Sequence, residues 1–231
     1  MLILLLVSFF VMIGTLGLVI YLDMKPQVAE GNYNYVDGSA HVSTPDATAT
    51  HQENRANGEI SARAALNGLG KAEASAELGH EFQYTGKEQR RFKLKVQYGY
   101  RTHVQVDEGP AQSRAIVNVV LLPDTVNVIA DDVQIAVGRK DNPTPESLIL
   151  SAKEEPTELS KFLSLGQEQG GQINNPVVSG IQEFPISLKR NQKCRALLKV
   201  AAIAEVPDEA QKGKCHAEVV GKVSRISLVP Q

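Results

Sequence analysis

Arg91–Tyr100 reads RFKLKVQYGY. Phe92, Leu94, Val96, Tyr98 and Tyr100 fall on one face of an extended chain, with Lys93, Lys95 and Gln97 on the other. Successive side chains of a strand point to opposite faces, whereas a helix would scatter these five around its circumference. The stretch is therefore a strand with one dry face and one wet face. His103–Val106 extends it past a bulge expected at Gly99.

The same alternation runs outward in both directions. Upstream, Ile60, Ala62, Ala64 and Leu66 alternate with Glu59, Ser61 and Arg63. After the turn Asn67-Gly68-Leu69-Gly70, Ala72, Ala74, Ala76 and Leu78 alternate with Lys71, Glu73, Ser75 and Glu77. Alanine favours helices, but the period-two pattern outweighs propensity here. Downstream of the turn Asp107–Pro110, Arg114–Leu122 is almost wholly apolar and reads as a strand covered on both faces. Val126–Ala130 and Val133–Val137 follow, and Ile181–Lys189, Cys194–Ala204 and His216–Val229 complete the set. Ser113–Val119 echoes Cys194–Val200, which we read as two independent central strands of similar composition.

Two regions break the pattern. Residues 23–57, rich in Gly, Asn, Ser and Thr, read as a stalk with one short strand near Ser39–Ser43. Residues 139–180 read as an excursion. Thr144 and Pro145 resemble a helix start, Thr157–Leu165 a second short helix, and Gly166–Gly180 a flexible connector. The expected fold is an all-β antiparallel sandwich, jelly-roll-like, over residues 58–231, with a short helical excursion.

Ahead of it stands Met1–Leu22, MLILLLVSFFVMIGTLGLVIYL, with no charged side chain. As a helix these residues would span about 33 Å, close to the ~30 Å hydrocarbon core of a bilayer. We expect a single transmembrane helix anchored through Leu2, Leu6, Phe9, Phe10, Ile13, Leu18 and Tyr21. A cleaved signal peptide would carry a basic start, a shorter apolar core and a good small-x-small site; no Lys or Arg precedes this run, its apolar core is too long, and the best cleavage candidate, Val28-x-Glu30, is poor. A pilin-like filament subunit also joins an apolar helix to a β domain, but the run has no basic leader and no acidic residue near its start.

Lys and Arg number 24 against 26 Asp and Glu, and this balance argues against nucleic-acid binding. Cys194 and Cys215 form an even count, which suggests a disulfide and, with it, an extracytoplasmic domain. Lys25, flanking the apolar run, argues for the opposite side. In a simple hairpin Cys194 would not lie opposite Cys215, so the bond requires the two to sit on facing sheets or across a bulge.

No catalytic signature is present: there is no H-E-x-x-H, G-x-S-x-G, P-loop or G-x-G-x-x-G. The histidines, His41, His51, His80, His103 and His216, share no ligand-like spacing. His80-Glu81, adjacent on a strand, should point to opposite faces. Asp131, Asp132, Asp141 and Asn142 carry oxygens suited to calcium, but no D-x-D-x-D loop organises them. Lys87, Arg90, Arg91, Lys93 and Lys95 form a basic cluster, which reads first as a solvated sheet face and otherwise as a contact for anionic lipid or an acidic partner. No catalytic, cofactor-binding or metal-binding residue is assigned. The expected function is a membrane-anchored, non-enzymatic structural or interaction protein, a subunit of a surface or envelope assembly. Its partners would be the bilayer and other proteins or further copies of itself. The alternative is a membrane-tethered carbohydrate- or ligand-binding sandwich.

Overall fold

The computed structural model describes residues 25–108, 111–123, 127–130, 133–136, 157–161, 171–206 and 212–231. Met1–Leu22, with all its anchor residues, lies outside them, as do Asp131, Asp132, Asp141, Asn142 and the helix start at Thr144. No helix among the described residues is long and apolar enough to cross a membrane.

The described residues form strands and connections only. In chain order the strands are β1 (Gln27–Ala29), β2 (Tyr35–Val42), β3 (Ala47–Asn54), β4 (Glu59–Gly68), β5 (Gly70–Gln83), β6 (Arg90–Glu108) and β7 (Ala111–Pro123). They continue as β8 (Asn127–Ala130), β9 (Val133–Ala136), β10 (Thr157–Lys161), β11 (Gly171–Leu188), β12 (Lys193–Val206) and β13 (Gly213–Pro230). Two antiparallel sheets result. One has the order β3-β4-β13-β6-β11-β8-β9, with β1 also on β13; the other has the order β10-β7-β12-β5-β2. From β4 onward the pairing is nested: β4 lies beside β13, β5 beside β12, β6 beside β11 and β7 beside β10.

The sandwich follows from the alternation. Ile60, Ala62, Ala64 and Leu66 are buried, as are Ala72, Ala74, Ala76 and Leu78 across from them. Phe92, Leu94, Val96, Val104 and Val106 fill the inner face of β6. Val119, Val120 and Leu121 are all buried, so β7 is covered on both faces there. Small side chains let the sheets approach closely. A Cβ built on Gly221 of β13 would lie 2.8 Å from Leu198 Cδ2 and 3.0 Å from Val200 Cγ1 of the opposite sheet.

Three expectations are corrected. Thr157–Lys161 is not helical: it is β10, paired from Thr157↔Ala115 to Lys161↔Ala111. Residues 171–180 are not a loose connector but the first half of β11, held on β6 from Gly171↔Val106 onward. Pro176, which has no N–H to give the ladder, falls where the register slips between Asn175 and Val178. Nor is 25–57 a stalk with one strand, because β1, β2 and β3 all belong to the sheets. The irregularity expected at Gly99 sits instead in the neighbours of a continuous β6: β13 slips between Val223 and Arg225, and β11 at Pro176.

Candidate functional site

The chemistry-bearing side chains gather at one end of the sandwich and on its two outer faces. At the end, which we term basal, four separate stretches meet. The Tyr84 amide donates to the Gln192 carbonyl at 2.9 Å, and the Asn191 amide donates back to the Tyr84 carbonyl at 2.7 Å. These bonds fasten the β5–β6 loop to the β11–β12 turn, in which Asn191 takes the left-handed conformation that a tight turn requires (φ 64). The Gln231 amide donates to the Arg91 carbonyl at 3.0 Å, closing the end of β13 against β6. Lys25, Pro26 and Gln27, leading into β1, face Tyr84, Thr85, Gly86 and Phe92 across a recess of about 190 Å³. The Tyr84 and Phe92 rings meet edge-on at 5.0 Å.

This geometry divides the basic cluster of the sequence. Lys93 and Lys95 lie on the outer face of β6 and share Glu183 of β11, at 3.1 and 2.6 Å. Their bonds hold the Glu183 carboxyl below its usual range. Lys87, Arg90 and Arg91 lie instead at the basal end. There the fold adds Lys25, Lys189 and Arg190, which sequence spacing did not connect to them. The signal that would have linked them is strand length: pairing β6 with β11 along their whole course sets Arg90 opposite Leu188, next to Lys189.

On the outer face of β6 and β13, the rings of His103 and His216 touch, centroids 4.6 Å apart. Burial pushes the His216 imidazole below its ordinary pKa, and the neighbouring His103 pushes it the same way. Glu218 is paired in register with His103, and Gln105 with His216. No group of three or more His, Cys, Asp or Glu among the described residues is placed to hold a metal ion.

On the other sheet, Glu81 of β5 binds Lys193 Nζ at 2.9 Å and Arg195 at 2.8 Å, both on β12. The Lys193 hydrogen bond is the largest influence holding the Glu81 carboxyl below its usual range. The Arg195 guanidinium lies 4.1 Å from the centroid of the Tyr35 ring, a cation–π contact. His80 sits against Phe82 at 4.8 Å, with its Nδ1 buried. Burial lowers its pKa. The charge of Glu81 opposes that lowering, although the two side chains face different surroundings.

The cysteine expectation is corrected. Cys194 and Cys215 are both buried free thiols. Cys215 Sγ lies 4.0 Å from the carbonyl of Glu205, near the far end of β12. Cys194 is eleven residues back along that same strand, about 36 Å away at ~3.3 Å per residue. A disulfide needs Cα atoms within about 7 Å. The two cysteines do come from facing sheets, but from opposite ends of them.

No family model matches the chain, and no curated protein matches it. Among solved structures, TmCBM61 in complex with beta-1,4-galactotriose is 12% identical over 87% of this chain and 92% of that one, with a TM-score of 0.19. The Endo-D glycoside hydrolase domain from Streptococcus pneumoniae R6 is 9% identical over 83% of this chain and 21% of that one, with a TM-score of 0.22. A structure of infectious bursal disease virus, Gt strain, is 10% identical over 90% of this chain and 41% of that one, with a TM-score of 0.15. Likeness at this level carries no argument about function.

Proposed function

We propose that the chain is a membrane-tethered, non-enzymatic structural or interaction protein. Met1–Leu22 crosses the bilayer once and carries a sandwich of jelly-roll winding directly at the membrane surface. The observation that carries this reading is the short distance between the apolar run and the fold. Gln27, five residues beyond Leu22, is already paired with Leu228 of β13. Five extended residues reach at most about 18 Å. The sandwich is therefore held close to the headgroups, with its two outer faces turned towards neighbours. The nested pairing of β4 to β7 with β13 to β10 is the reason for naming the winding jelly-roll.

The extracytoplasmic placement loses its main support once the thiols are free. Lys25 remains as the basic flank of the apolar run, and we propose the cytoplasmic side. Alkaline carbonate extraction of host membranes tests the tether: the intact chain is expected in the pellet, and its recovery in the supernatant would refute the reading. Protease digestion of sealed right-side-out vesicles tests the side, with protection of the sandwich expected. Light scattering in detergent tests self-assembly, which requires a protein mass above the 25.1 kDa of one chain.

A further inference from the structure

We propose that the basal end is a contact face for anionic lipid headgroups; this rests on the membrane tether proposed above. Lys25, Lys87, Arg90, Arg91, Lys189 and Arg190 converge there from stretches far apart in the chain, joined by the backbone bonds of Tyr84, Asn191 and Gln192. Lys25, Lys87, Arg91, Lys189 and Arg190 are exposed, and Arg90 is half-exposed. Within 25–27, 84–91 and 189–192, six cations stand against a single acid, Glu88.

On the described sheet faces, acids stand beside the cations. Lys71 is paired with Glu73, Lys199 with Glu77 and Lys222 with Glu59, and Glu183 and Glu81 hold two cations each. Among the described residues, these pairs set acids beside cations on the sheet faces, whereas the three basal stretches carry six cations and one acid. That end is also the one nearest the apolar run. Lys25 follows Leu22 by three residues, so this cation of the face lies within about 10 Å of the run's end. This is comparable with the ~8 Å Debye length at physiological salt, so Lys25 remains within electrostatic reach of the surface and brings the face that it belongs to towards it. Clustered Lys and Arg next to a membrane segment attract anionic lipid, and the arginine fork suits a phosphate diester. The face would thereby fix the tilt of the sandwich on the bilayer.

The test uses the full chain in nanodiscs of phosphatidylcholine, with or without a minority of phosphatidylglycerol. Lysines are modified with an amine-reactive reagent and read by mass spectrometry. Lys87 and Lys189 should label roughly threefold or more slowly in the anionic discs, with the difference lost in high salt. Lys71, Lys199 and Lys222 should not change. Arg91→Glu combined with Arg190→Glu, both at exposed positions, should abolish the protection of Lys87 and Lys189. Equal labelling of incorporated protein in both kinds of disc overturns the inference while leaving the tether intact. So does protection that survives the double reversal, or that appears in neutral discs on adding soluble glycerophosphate. Failure of the chain to incorporate at all overturns the tether reading itself.

Discussion

Removing one oxygen atom, in Tyr33→Phe, tests how firmly the lead from the apolar run is fastened to the sandwich. Tyr33 is 2% exposed, and its hydroxyl donates to the Val223 carbonyl at 3.0 Å, at the register slip in β13. Val223 in turn donates its amide to the Gly58 carbonyl at 2.8 Å. Gly58 has a left-handed φ of 76°, and a Cβ there would lie 2.1 Å from the Val223 oxygen. The phenol therefore closes a junction that has no room for rearrangement. Losing a buried hydrogen bond of this kind should cost about 1–2 kcal/mol. With a urea dependence of ~2–3 kcal/mol per molar, the unfolding midpoint should fall by about 0.5 M. The full chain in detergent, followed by far-ultraviolet circular dichroism, provides the assay. A second reading comes from pH. Burial raises the Tyr33 phenol above its ordinary 10.0, Glu30 adds to the rise, and a backbone hydrogen bond from Gly31 opposes it. Below pH 10 the phenol is protonated in both states and the contribution is complete. As pH rises through 10 towards the folded value, the unfolded chain ionises first and the contribution is lost. The advantage of wild type over Tyr33→Phe should therefore shrink above pH 10. An unchanged midpoint together with an unchanged alkaline profile would refute the reasoning.

Gly221→Ala should destabilise by about 1–3 kcal/mol through overpacking, since the added methyl meets Leu198 and Val200 across the sandwich. Leu198→Ala should relieve it, so that thermal melts of the double variant show less loss than the sum of the singles; strict additivity would mean the sheets are not that close. Burial pushes the thiol of Cys194 up to about 12 and that of Cys215 up to about 11. Both should resist maleimide at neutral pH while folded and react fully in denaturant without reductant. Rapid alkylation of the folded chain, or a mass two daltons low in native-source protein, would contradict the buried free thiols.

The alternation of Ile60–Leu78 and Phe92–Tyr100 made the facing layers legible, because a side chain on a strand has only two directions to point. The apolar run Val117–Leu121 gave away a strand covered on both faces for the same reason. What stayed hidden is pairing across long intervals. Thr157–Lys161 has a mixed local pattern, and only its register with β7 makes it a strand. Gly171–Gly180 is polar and glycine-rich, and it is extended because β6 continues beside it. The resemblance of Ser113–Val119 to Cys194–Val200 also has a spatial meaning: these stretches are neighbours, with Val117 opposite Val200. The basal cations were partly visible as a local cluster. Lys189 and Arg190 joined them only when β6 and β11 were aligned end to end, and Lys25 only when β1 was paired with the end of β13.

The nested pairing also sets a timetable. β12 lies in the middle of one sheet, and β13 joins β1 and β4 to β6 in the other. Both are made after every strand they pair with. Until they emerge, β4 has no partner towards the middle of its sheet, and β5 is separated from β7. Met1–Leu22 is made before any of these strands. The two sheets thus stay incomplete until β12 and β13 have been made. During that interval the half-sheets depend on something other than each other to keep their edges apart.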